Sequence, residues 1–581
     1  MGFFKQEVPV LDFETWSKGT RAEKIRPMAR HWAEVGFGTP VALHLFYVVK
    51  IALYILGGAL FALATRGIDG WSNIGNWWTE PIVFQKVVLY TMLFEVIGLG
   101  CGFGPLNNRF YPPMGSILYW LRPNTIRLPP WPRQVPLTRG DNRDGIDVAL
   151  YGALLVMLIV ALSSDGTGAD PALGTSIGLL PAWQSWAVLG LLAAAGLRDK
   201  VIFLAARGEV YAPFVVAFLF GGPNVLIAAK LVCMVIWMGA ATSKLTKHFP
   251  FVISTMMSNS PVVRPRALKR AFFEHFPDDL RPGRLSRALA HVSTAIEGLV
   301  PLVLFFSHGG WPTAVAAFVM ICFHLGILSA IPMGVPLEWN VFMIWCVLFL
   351  FVGHADVGLP DLTNPLPVLL FVVMAGTVIA GNLFPHKISF LPGMRYYAGN
   401  WDTTLWCITP SAEAKIDAGI VAIANMPAAQ LEKFYGSKEA AQIPIYMGYA
   451  FRGFNTHGKA LFTLAHRAMA YGNDGVDEAA YSVTDGERIC SMAIGWNFGD
   501  GHMHNEQLIA ALQRRCHFEP GEVRVVLLDA QPLHRQTQRY RLVDPATGEF
   551  ERGWVDVADM VVRQPWDDDV PVHVEARTGP L

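Results

Sequence analysis

The sequence predicts a polytopic α-helical membrane protein with about ten transmembrane helices, followed by a cytosolic α+β domain. Hydrophobic residues make up 52% of the 581 positions and charged residues 16%, whereas soluble chains carry roughly a quarter charged residues. The mean hydropathy of +0.35 agrees with this. Long apolar runs stop near residue 390. We therefore divide the chain into a cytosolic N-terminal segment (1–39), a transmembrane domain (40–390) and the cytosolic domain (395–581).

Ten runs of mainly apolar residues approach the roughly twenty residues that a helix needs to cross a bilayer. Arg207 and Glu209 interrupt the fifth run, and eight spans is the smallest number we expect. The ten runs are Pro40–Ala64, Val87–Phe103, Asp147–Ser163, Ala182–Leu197, Val201–Phe220, Asn224–Lys244, Leu289–Ser307, Thr313–Ile331, Trp339–Val352 and Pro367–Phe384.

Lys and Arg are distributed unevenly between the loops that alternate across these ten spans. The loops on the same side as the N-terminus hold 23 of them, and those on the opposite side hold only Arg66 and Lys86. Cytoplasmic loops retain positive charge because it resists translocation. The distribution predicts a protein of the inner (plasma) membrane with both termini in the cytoplasm.

The composition excludes other classes of protein. The 46 Lys and Arg balance the 46 Asp and Glu exactly in number, whereas a nucleic-acid-binding protein needs a basic surplus. The seven Cys form no Cys-x-x-Cys pair, which excludes a disulfide framework and argues against a zinc ribbon. We expect no nucleic-acid partner.

The basic stretch Thr20–Val35 predicts a short helix within the N-terminal segment. Pro27 interrupts hydrogen bonding along a helix but suits its first position, so the helix is expected to begin there. Met28, Trp32 and Val35 would then share one face. Such a helix favours the anionic inner surface of the membrane; a solvated capping turn is the alternative.

The tail contains patterns of both helices and strands. Ser411–Asn425, Lys459–Tyr471 and His504–Cys516 are predicted to be helical. Val523–Leu528 is predicted to be a buried strand, because it is a short, β-branched apolar run. The turn sequence Asp544–Gly548 lies between Tyr540–Val543 and Glu549–Val555 and predicts a hairpin.

Five ionisable residues fall inside the predicted spans, where a charge costs several kcal/mol. Lys50 and Glu95 both lie near the middle of antiparallel spans, which predicts an ion pair. The five residues line a polar chamber that serves a substrate or protons, or they form buried pairs that fix helix packing. They are Lys50, Glu95, Lys230, Glu297 and His324.

The sixth span ends at Lys244, which follows the small residues Gly239, Ala240, Ala241 and Ser243. Small residues let another helix approach closely. A lysine that is desolvated on one side loses its proton more readily and can act as a base. The alternative is a lysine whose side chain extends to the headgroups of the inner leaflet.

The order of aromatic, small residues, Lys244-Leu245, short polar gap and aromatic resembles the signature of the HTTM membrane domain, which vitamin K-dependent gamma-carboxylase shares with many bacterial proteins. The usual tryptophan corresponds to Phe249 or Phe251. The resemblance implies that Lys244 is a base acting on a quinone-like molecule. The length, ten-span layout and polar tail together resemble an uncharacterised actinobacterial transmembrane family of about this size.

Two further stretches contain candidate binding residues. Arg109 follows the glycine-rich end of the second span and is expected, with Lys247, to contact lipid headgroups. His502, His504 and Glu506 precede a predicted helix and are candidate metal ligands. Anion binding by the helix start and ordinary capping are the alternatives in the tail.

These patterns predict an integral membrane enzyme that modifies a lipid or quinone-like molecule. Lys244 would be the base, with Glu95, Glu297 and His324 as the other candidate catalytic residues. The alternatives are a non-catalytic lipid carrier or accessory subunit, whose tail (395–581) docks a protein partner, and a structural membrane protein. Membrane lipids and a quinone are the expected partners, and the sequence assigns no metal or cofactor.

Overall fold

The computed structural model describes residues 2–100, 116–330, 337–389, 394–472, 480–496 and 501–578. The first part of the chain is almost entirely helical. Its helices, α1 to α17, are Phe13–Ser17, Arg21–Val35, Val41–Leu63, Ile74–Trp77, Pro81–Val96, Ile117–Trp120, Gly145–Ser163, Ala182–Arg198, Lys200–Ala205, Gly208–Ala217, Asn224–Ser243, Phe249–Asn259, Arg266–Arg270, Arg284–Phe306, Gly310–Leu328, Leu337–Cys346 and Leu366–Leu383. A hairpin of β1 (Phe273–His275) and β2 (Asp279–Pro282) lies between α13 and α14.

Within the described residues, six helices are long and apolar enough to cross a membrane: α3, α7, α11, α14, α15 and α17. Each coincides with a predicted span. The fourth predicted span corresponds to the shorter helix α8, with 17 residues. The second, Val87–Phe103, overlaps the 16-residue helix α5 only over residues 87–96, and residues 101–103 lie outside the described part of the chain. The ninth corresponds to α16 and the π-helical turn Val347–Gly353 that continues it. Length and composition therefore support six of the ten spans.

Helix α11 is the centre of the bundle. In its apolar window 89% of the residues are buried, against 28% in α3, α14, α15 and α17. A helix that is apolar on all sides and buried on all sides belongs to the interior of a bundle. The four less buried helices present large faces for lipid.

The fifth predicted span is not one helix. It divides into α9 and α10 at Arg207, whose backbone is left-handed with φ of +51°. The Arg207 side chain is buried, pairs with Glu209 at 3.4 Å and lies 5.3 Å from the centroid of the Trp339 ring. The chain bends here because the charged pair must be enclosed by protein rather than face lipid.

The prediction that Pro27 begins a short N-terminal helix is wrong. Helix α2 runs from Arg21 through Pro27 to Val35. Thr20 and Glu23 form a capping box at its start. An internal proline costs about 3 kcal/mol, and the capping box together with burial of the apolar face of α2 offsets that cost.

Helix α2 also lies in a different place from the predicted one. Met28 and Trp32 have no exposed surface. The Trp32 ring contacts Phe451 and Phe454 of the tail, and its indole N–H donates to the carbonyl of Thr255 at 3.2 Å. The face expected on the membrane surface is therefore buried in protein, where it joins the tail to α12.

The strands of the tail are β3 (Thr403–Ile408), β4 (Ser482–Asp485), β5 (Val523–Leu528), β6 (Thr537–Asp544), β7 (Gly548–Asp556) and β8 (Val572–Arg577). They form one antiparallel sheet in the order β4-β3-β5-β6-β7-β8. The predicted strand Val523–Leu528 is confirmed as β5 and is buried along its whole length. The predicted hairpin is also confirmed, because Asp544 accepts from the Ala546 N–H at 2.7 Å and Gly548 has φ of +98°.

The helices of the tail, α18 to α24, are Pro410–Gly419, Pro427–Tyr435, Lys438–Phe454, Thr456–Ala470, Gly486–Ala493, Glu506–Cys516 and Val557–Val561. Three of them were predicted from the sequence, and four were not. The predicted helices correspond to α18, α21 and α23, and the first of them ends at Gly419 rather than Asn425. The sequence analysis missed β3, β4, β8, α19, α20, α22 and α24.

The tail packs directly onto a loop of the transmembrane part. The indole N–H of Trp120 donates to the carbonyl of Ile494 at 3.0 Å. The side-chain amide of Gln507 donates to the carbonyl of Pro129 at 2.8 Å. Trp120 and Trp496 belong to one continuous hydrophobic core, so the two parts of the chain share their interior.

Replacement of Trp32 by Ala tests the contact between α2 and the tail. We expect Trp32→Ala to lower the free energy of unfolding by about 3–5 kcal/mol, because it removes a fully buried aromatic side chain. Thermal unfolding of the detergent-solubilised protein measures the change. Phe434→Ala, at a side chain that is 61% exposed, is the control; equal stability of the two variants would contradict the packing.

Candidate functional site

A cavity of about 360 Å³ lies where the membrane helices meet the tail. Helices α11, α12, α14, α15 and α16 form its walls, and the segment before β3 and the end of α20 complete it. Three of the predicted catalytic residues line it: Lys244, Glu297 and His324. Most of the other lining side chains are aromatic or aliphatic: Trp237, Phe249, Met256, Met257, Phe323, Trp339, Met394, Tyr396, Trp401 and Phe451.

Lys244 is held at the cavity by the end of α11. It is the C-cap residue, and its N–H bonds to carbonyls of the last turn. A cation near the C-terminus of a helix is favoured by the helix dipole. The side chain is buried, and its ammonium lies 4.7 Å from the ring centroid of Phe249 and 5.7 Å from that of Phe323. The aromatic faces replace part of the water that an exposed lysine would bind.

Glu297 of α14 supplies the countercharge. Its carboxylate accepts a hydrogen bond from the Lys244 ammonium, and 7% of its side chain is exposed. Gly298 of α14 faces Ala241 of α11, where a Cβ would make an ordinary contact at 3.7 Å, so small side chains line the approach of the two helices. Removing either partner would leave a single buried charge, which costs several kcal/mol.

His324 is held in one neutral tautomer by its neighbours. The indole N–H of Trp237 lies 3.1 Å from Nε2 of His324, and Nδ1 lies 2.9 Å from the side-chain oxygen of Asn340. Because an indole nitrogen only donates, Nε2 accepts and Nδ1 carries the proton. Both ring nitrogens are therefore engaged, and His324 positions Trp237 and Asn340 in the cavity wall.

The tail closes the cavity through Trp401. Its indole N–H donates to Glu487 at 3.1 Å, and its ring packs against His457 with centroids 4.4 Å apart. Arg452 donates to Nε2 of His457 at 2.9 Å and pairs with Asp485. Burial and the adjacent Arg452 hold the pKa of His457 well below its usual range. This network fixes the position of Trp401 in the cavity wall.

Lys50 forms an ion pair with Glu338, a residue that the sequence analysis missed, and its predicted pairing with Glu95 stays a prediction. The Lys50 ammonium lies 2.9 Å from Oε1 of Glu338 and donates to the carbonyl of Gly100 at 2.6 Å. Glu95 is buried, and its carboxylate lies against Gly100, where a Cβ would be 2.0 Å from Oε2. Lys50 lines a separate apolar cavity of about 300 Å³. Lys50 and Glu95 are absent from the lining of the cavity that contains Lys244.

The other predicted membrane residues lie elsewhere. The Lys230 ammonium donates to the carbonyls of His354 and Val357, at 2.7 and 2.5 Å, and so holds the end of the π-helical segment. Lys247 is exposed. Arg109 lies outside the described residues.

The candidate metal ligands do not converge. His502 lies 3.1 Å from Asp402, the buried His504 is within 2.7 Å of the Thr404 hydroxyl, and Glu506 pairs with Arg541. Across the parts of the chain that the structure describes, no group of three or more His, Cys, Asp or Glu is arranged to hold a metal ion.

Several apolar helices long enough to span a bilayer, joined to a tail of helices and one antiparallel sheet, define a multi-pass membrane protein. The chain belongs to the family described as transmembrane protein of unknown function (DUF3556), whose model matches residues 1–575. No curated protein and no solved structure matches it. The predicted membership of an uncharacterised transmembrane family is thus confirmed, while its actinobacterial origin and the HTTM resemblance stay predictions.

A double-mutant cycle tests the ion pair. We expect Lys244→Met and Glu297→Leu to destabilise the protein by about 3–5 kcal/mol each, because each leaves one unpaired buried charge. The double variant should recover most of that loss, since no charge is then buried. Thermal unfolding in detergent measures all three against Lys247→Met, at an exposed lysine. Additive losses in the double variant would contradict the pairing.

Proposed function

We propose that the protein is a membrane enzyme whose cavity binds an amphipathic, lipid- or quinone-like molecule next to Lys244 and Glu297. The observation that carries the proposal is a buried ion pair inside an otherwise apolar, aromatic-rich cavity. Small-molecule sites have this composition: mostly apolar walls with a few polar groups that orient the ligand. Ionisable residues at membrane depth are by default functional candidates.

Lys244 and Glu297 together have the properties of an acid–base pair. In the proposed reaction the Lys244 ammonium passes a proton along its hydrogen bond to the Glu297 carboxylate, and the amine then takes a proton from a hydroxyl of the bound molecule. The protonated carboxyl returns its proton to the product.

A carrier or accessory role is the second candidate, and His324 favours it. Both its ring nitrogens are engaged by Trp237 and Asn340, so it is a poor proton acceptor for a substrate. The Lys244–Glu297 ion pair could also hold and orient a lipid that does not react in the cavity. In this version the tail docks a protein partner and the cavity holds a lipid.

The membrane topology is part of the proposal. We place both termini in the cytoplasm of a plasma-membrane protein and let the four shorter predicted spans cross the bilayer together with the six long helices. The support is the excess of Lys and Arg on one side of the ten-span arrangement. On this topology the tail is cytosolic, and the cavity lies at the inner boundary of the membrane.

Cysteine labelling tests the topology. In a Cys322→Ser background, which removes a native exposed thiol, we expect Ala169→Cys to react with a membrane-impermeant maleimide on intact cells. Lys438→Cys, in the tail, should react only after permeabilisation. Both positions are exposed, so accessibility of the side chain is matched. Labelling of Lys438→Cys on intact cells would contradict the cytosolic tail.

Mass spectrometry of co-purifying small molecules tests the function. We expect wild-type protein to retain a defined lipid or quinone, and Lys244→Ala to lose at least about tenfold of it, because a charged hydrogen bond contributes about 1.5–3 kcal/mol. Lys433→Ala, at an exposed lysine of the tail, should retain it.

The lipid and quinone inventory of the same cells separates the two candidates. An enzyme predicts accumulation of an unmodified precursor in the Lys244→Ala strain. A carrier predicts loss of binding with the chemical inventory unchanged. No specific molecule in any sample would overturn both.

A further inference from the structure

A second cavity, of about 350 Å³, lies in the tail against one face of the sheet. It is built by the start of β3, the end of β5, by β6, β7 and β8, and by residues 501–506 ahead of α23. Gly501 allows this segment to approach the sheet, because a Cβ there would lie 2.7 Å from the Cβ of Asp402. The lining is predominantly polar and charged, unlike that of the membrane-side cavity.

Arginines form the rim of this polar cavity. Arg541 of β6 lies directly opposite Arg552 of β7, and Arg539 lies two residues away on the same face. Like charges directly opposite each other destabilise a sheet. Glu506 pairs with Arg541, and Arg552 is 3.6 Å from Glu549. Glu575 also lines the cavity, so its charges are mixed, but among the described residues Arg539 has no carboxylate within 4.0 Å, and its guanidinium can therefore bind a ligand.

Carboxyl groups form the floor. Asp402 is buried, accepts from the Ala530 N–H at 2.8 Å and lies 3.1 Å from Nε2 of His502. Asp529 faces the same cavity. Burial and the nearby Asp402 raise the pKa of Asp529 to about 7. The Asp402 carboxylate therefore offers acceptor oxygens to a ligand, and the Asp529 carboxyl can accept or donate a hydrogen bond.

We propose that this cavity binds a small water-soluble phosphate ester, with its phosphate on Arg539 and Arg552 and a hydroxyl or ammonium donor on Asp402 and Asp529. A phosphate fits the rim better than a carboxylate does, because its second charge matches more than one guanidinium and each guanidinium donates a pair of parallel hydrogen bonds. The site is independent of the proposed membrane-side chemistry, since the two cavities share no lining residue.

Calorimetric titration of the detergent-solubilised full chain tests the proposal. The probes are phosphoethanolamine and glycerol 3-phosphate, with inorganic phosphate and ethanolamine as the separated halves. We expect both esters to bind more tightly than either half. The Arg539→Gln/Arg552→Gln variant should weaken ester binding about tenfold or more, because it removes charge-assisted hydrogen bonds. Arg535→Gln, at an exposed arginine outside the lining, should bind as the wild type does.

The Asp529→Asn variant tests the contact with the hydroxyl or ammonium end of the ligand independently of its phosphate. It should weaken the esters several-fold and leave inorganic phosphate unchanged, since only the esters reach the floor. Loss of phosphate binding in Asp529→Asn, or binding of ethanolamine alone, would overturn the assigned orientation. Absence of ester binding to the wild type, or unchanged binding in the double arginine variant, would overturn the site.

Discussion

The Lys244–Glu297 ion pair imposes the constraint on which the membrane half depends. Two charges inside an apolar bundle are tolerated only while they contact each other and are shielded from lipid. That requirement sets the close approach of α11 and α14 and the aromatic rings of Phe249 and Phe323 beside the ammonium. Lys244 follows the end of α11, which is the most buried of the six long helices.

The tail supplies part of the lining of the cavity that the membrane helices form. Trp401 and Phe451 close the cavity from the side opposite the bundle, and the buried Arg452–His457 contact fixes Trp401 in turn. The same tail residue, Phe451, also contacts Trp32 of α2. Trp32 also donates to the carbonyl of Thr255, so α2 contacts two residues of the cavity lining although no residue of α2 lines it.

The sequence predicted best what depends on local pattern. Apolar run length located the six long helices, and the β-branched run at Val523–Leu528 located the central strand β5. Lys244, Glu297 and His324 were selected separately for their cost at membrane depth, and the fold brings them together. Trp401 and Glu338 carry no such signal, since one is an ordinary aromatic residue and the other lies just outside its predicted span. Pro27 misled because helix propensity is local, whereas the capping and tertiary packing that outweigh it are not.

The position of β3 within the sheet has a consequence for biogenesis. β3 follows the last membrane helix in the chain, yet its sheet neighbours β4 and β5 are encoded much later. A ribosome delivers the bundle first, before the strands that hold β3 in the sheet have been made. The membrane half must therefore persist with an incomplete tail until the final strands emerge. A chain truncated before Val523 would carry Trp401 and β3 without β5, the strand that pairs with β3 along its whole length.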